Sequence, residues 1–325
     1  MTPLPTPTAQ SNMARGGGAL PAASAQVTST RLAVLGDLHL YKLWIPPWRL
    51  LCKRMLGQIN LWWDRRKKFD PALLPAMLDR AASIAPDLML LTGDVTMTSY
   101  PGEFDLVREA LSRVAAIPKL GIPGNHDRYT HASAWFRAME RGLPGLVPEH
   151  FPHVRSLTRR WRLLVLDAAR PRFLSARGRV PQAQLREGLD LVRELKEDDG
   201  LIVMCHYPAV PRPDGHPTPW QHRLANAESV LNLLRGCRAK VVYLHGHVHK
   251  PWLVPAAAGI AKLTDLNVGA PIMRRPGFPH GQGFWQLDLS DDGQATVAFT
   301  HHVPQAVRSD KGNRVKIEWE SRRLP

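Results

Sequence analysis

A chain of 325 residues, 44% of them hydrophobic, has apolar material for one large domain or two ordinary ones, which excludes disorder along its whole length. Its 43 Lys and Arg against 28 Asp and Glu leave a formal net charge of +15, so the expected partners are anionic: phosphate esters, nucleic acid or acidic lipid. The three cysteines, Cys52, Cys205 and Cys237, give no disulfide framework and suit a reducing compartment, and no apolar run approaches the ~18 residues of a membrane span.

Residues 1–29 are rich in Pro, Thr, Ala, Ser and Gly, lack the marks of a secretory signal, and read as a disordered leader. RLAVLG (31–36) is a short apolar run and reads as a buried strand. Next comes LWIPPWRLLCKRMLGQINLWWDRRKK (43–68), Trp-rich and basic, within an inserted stretch at 41–69. On a helical wheel Trp48, Leu51, Cys52, Met55, Leu56, Ile59, Trp62 and Trp63 share one arc, with Arg49, Lys53, Arg54 and Asp64 outside it. The spacing predicts an amphipathic helix with one apolar face to bury, and Pro46 and Pro47 limit it at the front.

Helical spacing follows at 69–85, a strand ending in Gly-Asp at 86–94, an amphipathic helix at 103–117, and a strand with its loop at 119–127. Apolar strands recur at 161–167, 201–206 and 240–249, separated by helical stretches at 181–196 and 225–236. Residues 284–303 read as a hairpin turning at Asp292-Gly293, and 304–325 as a basic tail with a final strand in RVKIEW. Strands alternating with helices argue for a layered α/β fold, whose ligands sit at the carboxyl ends of strands.

Five segments at predicted strand ends carry metal-ligand side chains: GDLH (36–39), GD (93–94), GNHD (124–127), CH (205–206) and GHVH (246–249). They supply Asp37, His39, Asp94, Asn125, His206, His247 and His249, a mixed set that suits Mn, Fe or Zn better than Ca or Mg. Glycine before the key residues permits sharp turns and close approach. Asp-x-His and His-x-His on extended backbone would put both side chains on one face.

The order Asp-x-His, Gly-Asp, Gly-Asn-His-Asp, His, Gly-His-x-His resembles the calcineurin-like metallophosphoesterase superfamily over about residues 31–250. The resemblance implies an α/β/β/α four-layer sandwich of two mixed sheets flanked by helices, over 30–303, and two divalent transition metal ions. Carried over by motif, Asp37, His39 and His249 hold one ion, Asn125, His206 and His247 the other, and Asp94 bridges them. His126 would contact the phosphate and protonate the leaving group, oriented by Asp127. A metal-bridging hydroxide would then attack phosphorus. The usual Gly-Asp-x-x-Asp is here Gly93-Asp94-Val95-Thr96-Met97, which removes an acid from beside the site.

GRVPQAQL (178–185) and CHYPAVP (205–211) further resemble the cyclic-nucleotide-phosphodiesterase-like bacterial branch, with Cys205 where a second His is usual. The expected activity is hydrolysis of a phosphodiester or phosphomonoester. The alternatives are a pyrophosphatase of a lipid-linked or nucleotide-sugar precursor and a non-catalytic binding protein on the same fold. Arg159, Arg160, Arg162, Arg274, Arg275 and the loop His216–Trp220 are candidates for substrate contacts, weighed against plain surface positions. The helix at 43–68 is expected to be a structural cap, a lid for an apolar substrate, or a peripheral membrane contact. Nucleic acid is the less expected partner, because the remaining charge is dispersed. The expected location is cytoplasmic, peripheral at the membrane inner face if the helix binds lipid.

Overall fold

The computed structural model describes residues 28–50, 52–172, 175–309 and 315–324. Most of the expected leader, Leu51 of the apolar arc, and 310–314 and 325 of the tail therefore lie outside the described residues.

Twelve strands form among these residues: β1 Ser29–Leu35, β2 Leu88–Leu91, β3 Lys119–Gly121, β4 His153–Ser156, β5 Trp161–Leu166, β6 Gly200–Cys205, β7 Lys240–His245, β8 Trp252–Val254, β9 Leu263–Asn267, β10 Phe284–Ser290, β11 Thr296–Ser309 and β12 Val315–Leu324. The helices of three turns or thereabouts are α1 Leu74–Ser83, α2 Pro101–Ser112, α3 Gln182–Glu194 and α4 Ala227–Arg235. One six-stranded sheet runs β12-β11-β10-β1-β2-β3 and the other β4-β5-β6-β7-β9-β8. Both are mixed: β1-β2-β3 and β5-β6-β7-β9 are parallel, whereas β10, β11 and β12 and the edge strands β4 and β8 pair antiparallel.

Strand alternation explains the layers. Leu32 and Val34 of β1 point between the sheets, where they meet Leu163, Ile202, Met204 and Trp285. Ala33 and Leu35 point the other way, onto Leu74, Met77 and Leu78 of α1 and Val107 of α2. Across the sandwich Leu164, Val203 and Val241 pack outward onto Leu185 of α3 and Val230 and Leu234 of α4. Strands buried on both faces read as continuous apolar runs, which is why they stand out in the sequence. The α/β/β/α sandwich is the observed architecture.

The hairpin at 284–303 and the strand expected in RVKIEW both form, with bounds that differ in detail, and the inserted stretch departs further. The hairpin places Asp292-Gly293 within a longer connection, 291–295, between β10 and β11. The tail is part of the fold, because β11 continues to Ser309 and pairs with β12 at the sheet edge. The largest correction concerns 43–68, a 3-10 turn at Pro47–Arg49, an α-helix at Arg54–Asn60, a π-helical turn at Leu61–Arg65 and a last turn at Arg66–Lys68.

Its apolar arc faces solvent. Trp48, Met55, Leu56, Ile59, Trp62 and Trp63 are 40–79% exposed, and Leu43 and Trp44 outside the arc are exposed too. The side against the body is instead Arg54, Gln58 and Leu61, all buried. Arg54 donates from Nε to the Thr98 carbonyl at 3.1 Å and from Nη2 to the Ser99 carbonyl at 3.0 Å. Gln58 donates to the Lys42 carbonyl at 3.1 Å. Buried carbonyls of irregular loops need donors, and polar residues at i and i+4 supply them where an apolar face could not. Gly57 lets the helix approach, since a Cβ there would lie 2.9 Å from Tyr129 Oη.

Candidate metal centre

The loops after β1, β2, β3, β6 and β7 meet at one end of the sandwich, where the parallel strands finish. The metal-ligand side chains are not on extended backbone. β1 stops at Leu35 and β7 at His245, and Asp37, His39, Asp94, His247 and His249 have φ between 47° and 73°. Left-handed non-glycine residues cost of order 1–3 kcal/mol each and gather at sites where their placement matters. The shared direction of the Asp-x-His and His-x-His pairs thus comes from loop reversal, which replaces the strand-alternation expectation.

All seven expected ligands converge. One group is Asp37, His39, Asp94 and His249, the other Asp94, His206 and His247, and within each the ligand atoms lie within 4.8 Å of one another. Asp94 belongs to both. His39 Nε2 and His249 Nε2 are 2.9 Å apart, with Asp37 Oδ1 at 3.9 and 3.6 Å from them and Asp94 Oδ2 at 3.7 Å from His39. On the other side His206 Nε2 lies 3.2 Å from Asp94 Oδ2, 3.3 Å from Asn125 Oδ1 and 3.3 Å from His247 Nδ1. Ligand bonds of ~2.1 Å at right angles set donor atoms ~3.0 Å apart, so this spacing fits a cation in each group.

The backbone fixes which atom each ligand presents. His206 is oriented by its Nδ1 contact to the Thr92 carbonyl at 2.9 Å, and His247 by its Nε2 contact to the His222 carbonyl at 2.9 Å. The other ring nitrogen of each faces the cluster, as expected of a ligating imidazole. Asp37 accepts the His247 amide, and Asp94 Oδ1 the His126 amide at 2.7 Å. Gly124 is required because a Cβ there would collide with the Asp94 carboxylate.

Burial pushes His39, His247 and His249 well below the ordinary histidine range, which keeps their lone pairs free. Burial raises Asp37 well above the carboxylate range. Burial also opposes ionisation of Asp94, but the charge and hydrogen bond of His206 outweigh it and hold that carboxylate well below its usual value.

His126 lies beside both groups, its ring 4.7 Å from that of His39. Its Nδ1 meets the Met97 carbonyl at 2.5 Å, and its Nε2 faces Arg65 Nη1 at 3.1 Å. Burial first, then Arg65, drives His126 down to about 3, so the ring is a neutral acceptor at Nε2. Asp127 does not touch it. That buried carboxylate accepts from the amides of Thr96 and Gly124 at 2.9 Å and from Thr96 Oγ1 at 2.9 Å. It therefore ties the Gly-Asp loop to the Gly-Asn-His-Asp loop, and the orienting contact expected of it comes from the Met97 main chain.

A cavity of about 500 Å³ opens beside the candidate ligands, lined by Asn125, His126, Tyr129 and His222, and by Lys53, Leu56, Asn60 and Arg65 of the insertion. Arg65, which the sequence reading does not single out, brings a guanidinium to this cavity. The sequence signal for it was the basic side of 43–68, which the apolar arc drew attention from. His222 also lines this cavity and offers its carbonyl to His247.

None of the candidate arginines lines this cavity, and His216, Pro217 and Thr218 of the candidate loop line a separate depression, with Trp220 between that depression and Gln221 in the cavity wall. Arg162 bonds the carbonyls of Thr158 and Arg159, and Arg159 and Arg160 approach Asp291 and Asp199, at the far end of β5. Arg274 pairs with Asp70, while Arg275 donates to the His249 carbonyl at 2.8 Å and so braces that ligand's loop. Cys205, pushed up to about 11 by burial, is an inert core thiol.

A family model described as calcineurin-like phosphoesterase matches residues 30–251. A probable cyclic nucleotide phosphodiesterase of Synechococcus sp. is 26% identical over 213 residues, spanning 64% of this chain and 74% of that protein. A dimetal phosphatase from Danio rerio superposes with a TM-score of 0.53 at 14% identity, covering 82% of this chain and 98% of that one. Purple acid phosphatase PPD1 from yellow lupin (Lupinus luteus) seeds gives a TM-score of 0.53 at 12% identity, over 91% of this chain and 54% of that one. At such identities these two structures speak for the fold, and they agree with the four-layer sandwich.

Proposed function

The chain belongs to the calcineurin-like phosphoesterase family and is a metal-dependent hydrolase of phosphoesters; from that premise we propose that it cleaves a phosphodiester at a centre of two divalent transition-metal ions. The observation that carries this reading is Asp94, shared by two groups of converging donors. Asp37, His39 and His249 would hold one ion with it, and Asn125, His206 and His247 the other. The mixed imidazole, carboxylate and amide set favours Mn, Fe or Zn. Such a pair would supply charge neutralisation for the phosphoryl oxygens and an activated water as nucleophile.

The chain's own residues do the rest. Arg65 and the Asn125 amide flank the space where phosphate would sit, and Arg65 adds positive charge from the insertion. His126 holds its Nε2 toward the cavity through the Met97 contact. A phosphate oxygen that draws Arg65 away from Nε2 would favour protonation of that nitrogen by solvent water, and the imidazolium would then give this proton to the leaving alkoxide. The likeness to a probable cyclic nucleotide phosphodiesterase supports the diester.

A second reading is favoured by Leu56, which is half exposed yet lines the cavity. An apolar wall beside a phosphate site suits a lipid-linked phosphoester or pyrophosphate. The three free cysteines, two of them buried, suit the reducing cytoplasmic side of the cell for either substrate.

Metal analysis with a bis(p-nitrophenyl) phosphate assay tests the proposal. The expected result is two ions per chain and turnover, with Asp94→Ala losing bound metal and at least ~100-fold in turnover. A chain that binds no transition metal, or an Asp94→Ala variant that keeps both ions and full activity, refutes it.

A further inference from the structure

The insertion's surface is inverted relative to its sequence pattern, and the exposed half has its own composition. Lys53, Leu56, Gly57 and Asn60 line the catalytic cavity, and Arg54, Gln58 and Leu61 meet the body. The third side, Met55, Ile59, Trp62 and Trp63, stands in solvent with Trp44 and Trp48 from the preceding loop. Trp44, Trp48 and Trp63 are 83%, 70% and 79% exposed. Monomeric proteins rarely leave apolar side chains so concentrated.

Two further exposed tryptophans, Trp135 and Trp220, lie outside the insertion. Trp220 is stacked under Arg177, and its neighbour Gln221 lines the cavity. Trp135 shares a surface depression with Pro171, and the next residue, Arg172, accepts from Lys53 Nζ. Arg49, Arg66 and Lys67 are exposed beside the tryptophans, whereas Asp64, the only acid in 43–68, is paired with Lys68.

We propose that this tryptophan-rich, basic rim docks the protein on an anionic lipid bilayer, with the mouth of the metal cavity facing the headgroups. Tryptophan suits the headgroup boundary and Lys and Arg suit acidic lipid. Charge argues for lipid over a second copy, since two chains of +15 repel. Docking rests on the exposure pattern alone. Its consequence, delivery of a membrane-resident phosphoester to Arg65 and the metal ligands, rests on the phosphoesterase reading.

Vesicle sedimentation of the purified full chain tests it, using phosphatidylcholine vesicles with and without phosphatidylglycerol. Anionic vesicles are expected to bind the wild type roughly tenfold or more better than neutral ones. Trp44→Ser/Trp63→Ser is expected to lower binding roughly tenfold, and Arg66→Glu/Lys67→Glu to lower it on anionic vesicles only. Unchanged turnover of bis(p-nitrophenyl) phosphate by the tryptophan variant shows that it is folded. A wild type that binds both vesicles alike, or a tryptophan variant that binds like the wild type, overturns the proposal. So does a wild type that stays in the supernatant and self-associates in light scattering through the same tryptophans. An inactive wild type that still sediments with anionic vesicles would count against the phosphoesterase reading and leave docking standing.

Discussion

Met97 stands where the Gly-Asp-x-x-Asp pattern of the resemblance has its second acid, and its thioether meets Arg65. Arg65 Nη1 lies 3.1 Å from Met97 Sδ, so the guanidinium meets a thioether and an imidazole where a carboxylate would have captured it. Burial lowers Arg65 from its usual range, although arginine stays charged at any ordinary pH. A partly buried cation with no carboxylate partner, lining the cavity beside the candidate ligands, would bind anions there. A hydrogen bond to a charged group is worth ~1.5–3 kcal/mol, so Arg65→Met should raise KM and cut kcat/KM roughly 10- to 100-fold at unchanged metal content. Arg65→Lys should recover part of that loss. Met97→Asp should act in the same direction with Arg65 intact, because the new carboxylate lies within reach of the guanidinium. Wild-type kcat/KM in Arg65→Met would remove Arg65 from the substrate site.

At the scale of the element, a helical wheel gives the axis of an amphipathic helix without saying which face meets protein. For 54–61 that choice was made by the carbonyls of Lys42, Thr98 and Ser99, which belong to distant loops and leave no trace in the helix's own spacing. The inversion makes a quantitative contrast. Arg54→Met strands two buried carbonyls at ~1–3 kcal/mol and should lower the melting temperature by several degrees. Met55→Lys and Ile59→Lys alter only exposed positions and should stay within about 0.5 kcal/mol of the wild type. Thermal melts that reversed this order would restore the buried apolar face. The central strands were legible for the opposite reason: β5, β6 and β7 are buried on both sides, so their runs are apolar throughout. Short β9, Leu263–Asn267, was missed because its buried Asp265 and Asn267 read as loop. They are there to bond His245 and Trp252 and the Gly246 carbonyl behind the ligand loop.

Over the whole molecule, the convergence of the seven candidate ligands could be anticipated from contiguous motifs, whereas their backbone could not, because motif spacing carries no sign of the left-handed φ at five of them. Asp37, His39, Asp94 and Asn125 follow strands of the first sheet, and His206, His247 and His249 follow strands of the second. Cations held by both sets would join the sheets at the end of the sandwich where the apolar inter-sheet core gives way to a buried polar cluster. Cations that bind only the folded state stabilise it by mass action, by ~4 kcal/mol for a site at a thousandfold excess over its dissociation constant. In a domain of this size that corresponds to roughly 6 °C in the melting temperature. Chelation should therefore lower the melting temperature by about that much, and added Mn or Zn should restore it. In Asp94→Ala the shift should nearly vanish, because each group has lost its common ligand. Hydrogen exchange should locate the effect, with chelation speeding exchange in the loops at 36–40, 92–97 and 245–249 and leaving the α1 and α3 helices slow. Equal melting of chelated and metal-loaded wild type would mean that cations do not bridge the sheets.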